Sequence, residues 1–335
     1  MVYLVTGATG FIGSHLCEEL AKRGKKTRCL VREKETGEMH KENEKMLRSI
    51  GAEIYYGDLN DRGSLKNIAK GVDVVFHLAA IARPMNIPRE KYFEVNVEGT
   101  KNLFEACRRE KIRKIVHVSS ISAIGPSRDG KPVSEKTSAR PVDTYGESKL
   151  ESEKAAFDFI KKYKLPVVIV RPPMIYGPGD FELLKLFKAV NTGFFPVNMG
   201  GGKGHFEFCF VKNLVKGIIL ASEKGAVGEI YHLSDERAYT LAEVAGTIAK
   251  AEKKSLLKLP FPKAVFWLGG KAMEISGRIF GFHPPFKGGT MEWMTTDYWV
   301  SDISKAKKEL GYRQEFSLQE GVEETVAWYK KKGII

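Results

Sequence analysis

The chain has 335 residues, 43% of them apolar and 28% charged. That balance excludes a disordered tail protein, a collagen-like fibre and a disulfide-stapled miniprotein, and one enlarged α/β unit is long enough to hold it all. Lys and Arg (54) exceed Asp and Glu (41) for a formal charge of +13, which favours anionic partners, from nucleic acid or anionic membrane to a phosphorylated cofactor or an acidic substrate, without choosing among them.

Val2–Val5 reads as a strand, Phe11–Arg23 as a helix, Thr27–Val31 as a second strand and Ile54–Tyr56 as a third. A helix over Arg62–Ala69 and a strand over Val72–His77 follow, then a helix through Thr100–Glu110 and a strand over Ile112–Ser119. A long helix over 145–163 and a sixth strand over Pro166–Arg171 complete the series. Strands separated by helical segments imply βαβ units, so the fold class is α/β, a doubly wound parallel sheet of Rossmann type over 1–171. After Arg171 the rhythm breaks. Segments 181–191, 211–223, 240–251 and 303–311 read as helical among glycine-rich loops and short strands such as 229–233. Residues 172–335 are therefore expected to form a smaller, helix-rich substrate lobe, with segments returning to the main sheet. The tail Lys330–Lys332 reads as a frayed, solvated end.

Four scattered cysteines (Cys17, Cys29, Cys107, Cys209) lack CxxC spacing and predict reduced thiols and no metal site. The chain runs from Met1 straight into a glycine motif, so no signal peptide is expected, and no apolar run reaches the length of a membrane span. The expected compartment is the cytoplasm.

Thr6-Gly7-Ala8-Thr9-Gly10-Phe11-Ile12-Gly13 follows the first strand and opens a helix. Glycines at 7, 10 and 13 permit a tight turn and close approach of backbone to a pyrophosphate, and the helix amino end supplies free N–H groups to it. The second strand ends Leu30-Val31-Arg32 without the acid that accepts from an NAD ribose. A guanidinium suits a 2′-phosphate instead, so NADP is favoured and NAD is the alternative. Asp58 and Leu59 fit the adenine, or a turn in which Asp58 serves only as a cap. Leu78, Ala79 and Ala80 are small enough for backbone to pass close to the coenzyme, and His77 reads as a packed strand residue.

Ser120 stands after the fifth strand, and Tyr145 and Lys149 form a YxxxK pair on one helical face. A free phenol is too weakly acidic to act as a base at neutral pH. Bringing it there takes about 4 kcal/mol of preferential stabilisation of the phenolate, which the Lys149 ammonium and an oxidised nicotinamide both favour. Ser120 would hold the substrate oxygen beside Tyr145, and Ser119 would assist the coenzyme.

TGATGFIG, Asp58-Leu59, HLAA, NVEGT, Val118-Ser119-Ser120, YGESK and Arg171-Pro172-Pro173 occur in the order seen in extended short-chain dehydrogenases/reductases, which the chain resembles over nearly its full length. The resemblance implies that Pro172 through Met174 contact the nicotinamide amide and that Asn96 braces the sheet. It also implies a homodimer through helices around 100–110 and 145–163. Sugar dehydratases of this kind carry an Asp-Glu pair after the catalytic Thr, where this chain has Ile121-Ser122. Nucleotide-sugar enzymes carry an arginine for the diphosphate where Phe206 stands, with Lys203 and His205 the nearby cations. Phe206 and Phe208 are accordingly read as apolar walls for substrate. The hydroxysteroid dehydrogenase-like and dihydroflavonol reductase-like branch is the nearer match.

Basic and aromatic residues alternate over 256–286, which reads as a lid, a peripheral membrane contact or a core-facing helix pair. The expected function is an NADP-preferring oxidoreductase interconverting a secondary alcohol and a ketone on a moderately apolar small-molecule substrate. The alternative is a nucleotide-sugar 4-epimerase with tightly bound NAD. A redox-sensing regulator on the same scaffold fits an intact Ser-Tyr-Lys set poorly, and no nucleic-acid motif is present.

Overall fold

The computed structural model describes residues 1–33, 37–82, 87–196, 204–259, 268, 276 and 298–335. Seven strands form one parallel sheet: β1 (Val2–Thr6), β2 (Lys26–Val31), β3 (Glu53–Tyr56), β4 (Val74–His77), β5 (Lys114–Val118), β6 (Val167–Arg171) and β11 (Ile230–His232). Their order is β11-β6-β5-β4-β1-β2-β3, so the winding reverses between β1 and β4. Ligands of open α/β sheets bind outside the carboxyl ends of the strands at such a reversal.

The strands are near-continuous Val, Ile and Leu because both faces are covered. Tyr3 and Val5 of β1 enter one apolar cluster with Leu16, Cys17 and Leu20 of α1 (Phe11–Lys22). Leu4 between them enters the opposite cluster, with Leu103 and Phe104 of α4 (Gly99–Cys107) and Ala156 of α5 (Thr144–Tyr163). All four cysteines are free and buried. Burial raises the Cys107 thiol to about 12, so it stays protonated.

Beyond β6 the chain builds β7 (Met174–Tyr176), α6 (Leu184–Asn191), β8 (Phe194–Pro196), β9 (His205–Phe206) and β10 (Phe208–Phe210). Then α7 (Val211–Lys224) and β11 return to the main sheet, and α8 (Leu241–Glu252), β12 (Leu257–Leu259) and β13 (Tyr298–Trp299) follow. Short parallel pairs β10–β7, β12–β8 and β13–β9 tie these segments together. Among the described residues, no helix is long and apolar enough to cross a membrane.

The structure corrects the sequence reading in three places. Arg62–Ala69 is not an α-helix but a run of turns closed by bonds such as Leu65 N to Arg62 O and Ile68 N to Leu65 O. The segment Glu38–Ser49, which carries no apolar period, is a helix, α2. The C-terminal tail is a helix too, Leu318–Lys331, opened by a reciprocal cap between Ser317 and Glu320. It buries Leu318, Val322, Val326 and Tyr329, so only its last lysines are solvated. The 256–286 segment lies mostly outside the described residues, and so does Lys203.

Candidate active site

At the sheet's reversal point lies a cleft of about 580 Å³. The glycine turn forms one wall. A Cβ on Gly13 would stand 2.1 Å from the Gly7 carbonyl oxygen, so only glycine lets α1 start this close to the turn. Gly7, Thr9, Gly10, Phe11, Ile12 and Gly13 all face the cleft. Arg32, Asp58, Leu59, Leu78, Ala79, Ala80, Ser119, Pro172 and Met174 line it as well. This extended groove, with a backbone cradle at one end, fits a nicotinamide dinucleotide. Asp58 also serves its own turn, Oδ1 accepting from Asn60 N at 2.8 Å.

Ser120, Tyr145 and Lys149 converge on the same cleft. Ser120 ends the β5 connection in extended backbone, and its Oγ accepts from Ser122 N at 3.1 Å. Accepting there leaves its own hydrogen to donate to a substrate oxygen. Tyr145 lies in the first turn of α5, whose amino end is capped by Asp143 Oδ1 accepting from Gly146 N at 2.6 Å. Gly146 is a residue the sequence reading missed, although it sits inside YGESK. A Cβ there would lie 2.3 Å from Ser122 O, so glycine is what lets the Tyr145 helix touch the serine loop. Gly146→Ala is expected to push the two apart and lower kcat by about tenfold or more, since small displacements of reacting groups are costly. Steady-state kinetics on the folded variant checks this.

Lys149 is buried, and its Nζ donates to Val118 O at 2.7 Å. Burial pushes the ammonium down to about 8, with Glu153 pulling it back up. The charged form is the one that favours a phenolate at Tyr145, and it is lost as pH rises through that value. The kcat/KM for carbonyl reduction is therefore expected to fall above about pH 8. A flat profile to pH 10 in a stopped-flow or steady-state series would contradict this role for Lys149 (order-of-magnitude limit, about two decades above its pKa).

Beneath the triad runs a row of polar groups. Thr100 Oγ1 donates to Asn96 O at 2.6 Å, so it accepts from His77 Nε2, and His77 Nδ1 then accepts from Thr6 Oγ1 at 2.8 Å. Burial holds His77 down to about 3, which keeps it a neutral packing residue, as its sequence context implies. Asn96 is a brace: its Oδ1 accepts from Ile81 N at 2.7 Å and its Nδ2 donates to Ser148 Oγ at 2.9 Å. Ser119 departs from expectation. Its hydroxyl donates to Glu153 Oε1 at 2.5 Å, and Glu153 also takes two bonds from Arg171, so the side chain serves this ion pair rather than the coenzyme.

The structure also corrects the substrate residues. Phe206 and Phe208 are 2% and 1% exposed, belong to the apolar core and do not line the cleft. Side chains alternate along a strand, and Glu207 between them is the residue that does line it. Ser301 N (2.7 Å) and Ser301 Oγ (2.6 Å) donate to the Glu207 carboxylate, and burial raises it to about 7. Composition offered no sign of this buried acid.

Further cleft residues come from elements the sequence reading did not assign or left as loop. His40 belongs to α2. Gly179 and Asp180 sit on a loop whose carbonyls are held from both sides, Pro178 O by His15 Nε2 (2.7 Å) and Asp180 O by Tyr329 OH (2.6 Å). The C-terminal helix therefore helps to shape the cleft.

The profile of the NAD dependent epimerase/dehydratase family matches residues 3–234. The chain is 28% identical to a bovine (Bos taurus) sterol-4-alpha-carboxylate 3-dehydrogenase (decarboxylating), over 96% of this chain and 90% of that protein. It is 31% identical to a protein of Bacillus subtilis described as an uncharacterized UDP-glucose epimerase, YtcB, over 98% of each. A crystal structure of UDP-glucuronic acid 4-epimerase from Bacillus cereus in complex with NAD superposes with a TM-score of 0.79 at 25% identity, covering 99% of both chains. With its parallel sheet, glycine turn and family match, the chain belongs to the NAD dependent epimerase/dehydratase family, among the extended short-chain dehydrogenases/reductases, and is an enzyme that works with a nicotinamide coenzyme.

Proposed function

We propose that this enzyme is an NADP-preferring oxidoreductase that interconverts a secondary alcohol and a ketone on a moderately apolar substrate. The observation that carries the reading is the lining of the cleft around Ser120, Tyr145 and Lys149. Ile81, Ile121, Met174, Ile175 and Trp299 make it apolar, and the one acid from β9–β10 is Glu207. Among the described lining residues Arg32 is the only arginine, and it follows β2 at the opposite, coenzyme-facing part. A nucleotide sugar brings a diphosphate, which a buried carboxylate opposes and a guanidinium would be needed to hold. Kinship with a sterol dehydrogenase supports an apolar substrate.

When bound, the nicotinamide supplies or accepts hydride. The chain's own residues do the rest. Ser120 donates to the substrate oxygen and fixes its position, and Tyr145 gives or takes the oxygen-bound proton. Lys149, anchored on Val118 O, holds positive charge near the phenol and lowers the cost of its deprotonation.

The alternative is a nucleotide-sugar 4-epimerase with tightly bound NAD, supported by the likeness to epimerases. Reduced-nicotinamide absorbance separates the two when the protein is offered hydroxysteroids and apolar ketones or alcohols in one series, and UDP-glucose and UDP-galactose in another. Net coenzyme turnover with the first series supports the proposal. Sugar inversion without net turnover overturns it.

A further inference from the structure

Helix α2 places a second basic side chain where the coenzyme's 2′ position belongs. Its third residue, His40, lines the cleft together with Met39, Arg32 and Thr9. Two contacts dock α2 onto a single residue of the glycine turn. Asn43 Nδ2 donates to Thr9 O at 2.9 Å, and His40 Nδ1 lies 3.3 Å from Thr9 Oγ1. Arg32 reaches the same place from the end of β2. The acid at this part of the cleft, Asp58, has Oδ1 engaged by the amide of Asn60 in its own turn.

We infer that His40 acts with Arg32 as a recognition residue for the 2′-phosphate of the coenzyme, so that α2 and the β2 end together set the choice between NADP and NAD. The inference rests on the NADP reading above and adds a residue to it. The chemistry follows from what the two side chains offer. A guanidinium only donates hydrogen bonds, and an imidazole turned to Thr9 by Nδ1 presents Nε2 on its opposite edge. Phosphate oxygens accept from both, whereas a bare ribose 2′-OH needs an acceptor that neither supplies as well. Because the same ring also touches Thr9, a purely structural role would affect both coenzymes alike, and a recognition role would affect only the phosphorylated one.

The test is the dissociation constant of NADPH and of NADH, by fluorescence titration of the full-length protein, for wild type, Arg32→Ala, His40→Leu and Asn43→Ala. His40→Leu is expected to weaken NADPH by about tenfold or more while leaving NADH within about twofold. Asn43→Ala, which loosens α2 without removing a phosphate donor, is expected to weaken both together. If His40→Leu weakens both equally, or neither, while Arg32→Ala still abolishes a wild-type preference for NADPH, the role of His40 is overturned and the NADP reading stands. If wild type binds NADH more tightly, both fall together.

Discussion

Replacing Tyr145 by phenylalanine is expected to lower kcat by about 10²–10⁴-fold while coenzyme affinity stays within about twofold of wild type. The change removes one oxygen from the first turn of α5 and leaves the ring, the Asp143 cap and the Gly146 contact in place. Lys149, one turn along the same face, keeps its bond to Val118 O, so the cleft retains its shape and its charge. What disappears is the group that exchanges a proton with the substrate oxygen. Single-turnover kinetics with a separate coenzyme titration checks both halves of the expectation. Turnover within tenfold of wild type would remove Tyr145 as the acid/base, since general acid–base catalysis is worth roughly a hundredfold at least.

The second large effect is on stability. Glu153 and Arg171 form an ion pair whose side chains are 2% and 5% exposed, with nitrogen–oxygen distances of 2.8 and 2.6 Å. Arg171 Nη1 has no further partner, so Glu153 carries most of the compensation for its charge. Glu153→Ala leaves a buried guanidinium facing apolar strands and is expected to cost about 3–5 kcal/mol in chemical denaturation. The double variant Glu153→Met, Arg171→Met is expected to be less destabilised than that single one, because it removes both charges from the interior. Equal losses in the two would show that shape, not uncompensated charge, sets the cost. The Ser119 hydroxyl is part of this network, which is why a serine beside the catalytic one is not itself available to the coenzyme.

Local sequence carried the coenzyme domain well, for a physical reason. Its strands are buried on both faces, so each is an unbroken apolar run, and its glycine turn and YxxxK pair act at fixed short spacing. Thus every residue proposed for the coenzyme, with all three of the triad, lines one cleft. The failures occur where tertiary contact outweighs local pattern. Helix α2 buries only Leu47 and is charged all round, so it shows no apolar stripe, yet it brings His40 to the cleft. The C-terminal helix did carry a signal: Ser317-Leu318-Gln319-Glu320 is a capping box, and Leu318, Val322, Val326 and Tyr329 recur at helical spacing. Its run of terminal lysines masked that pattern. Phe206 and Phe208 were misplaced because alternation says that neighbours face opposite ways, not which face meets the cleft. Only the Ser301 contact with Glu207 shows which side that is.

The most direct test of the proposed redox function is a stoichiometry. NADPH consumed and alcohol formed are measured in the same reaction on an apolar ketone, with product identified by chromatography. One coenzyme oxidised for each alcohol formed is the expected result, and it is lost in Tyr145→Phe. Inversion of a sugar carbinol with no net change in coenzyme would contradict the account, and would mean that the apolar lining and Glu207 do not exclude a nucleotide diphosphate.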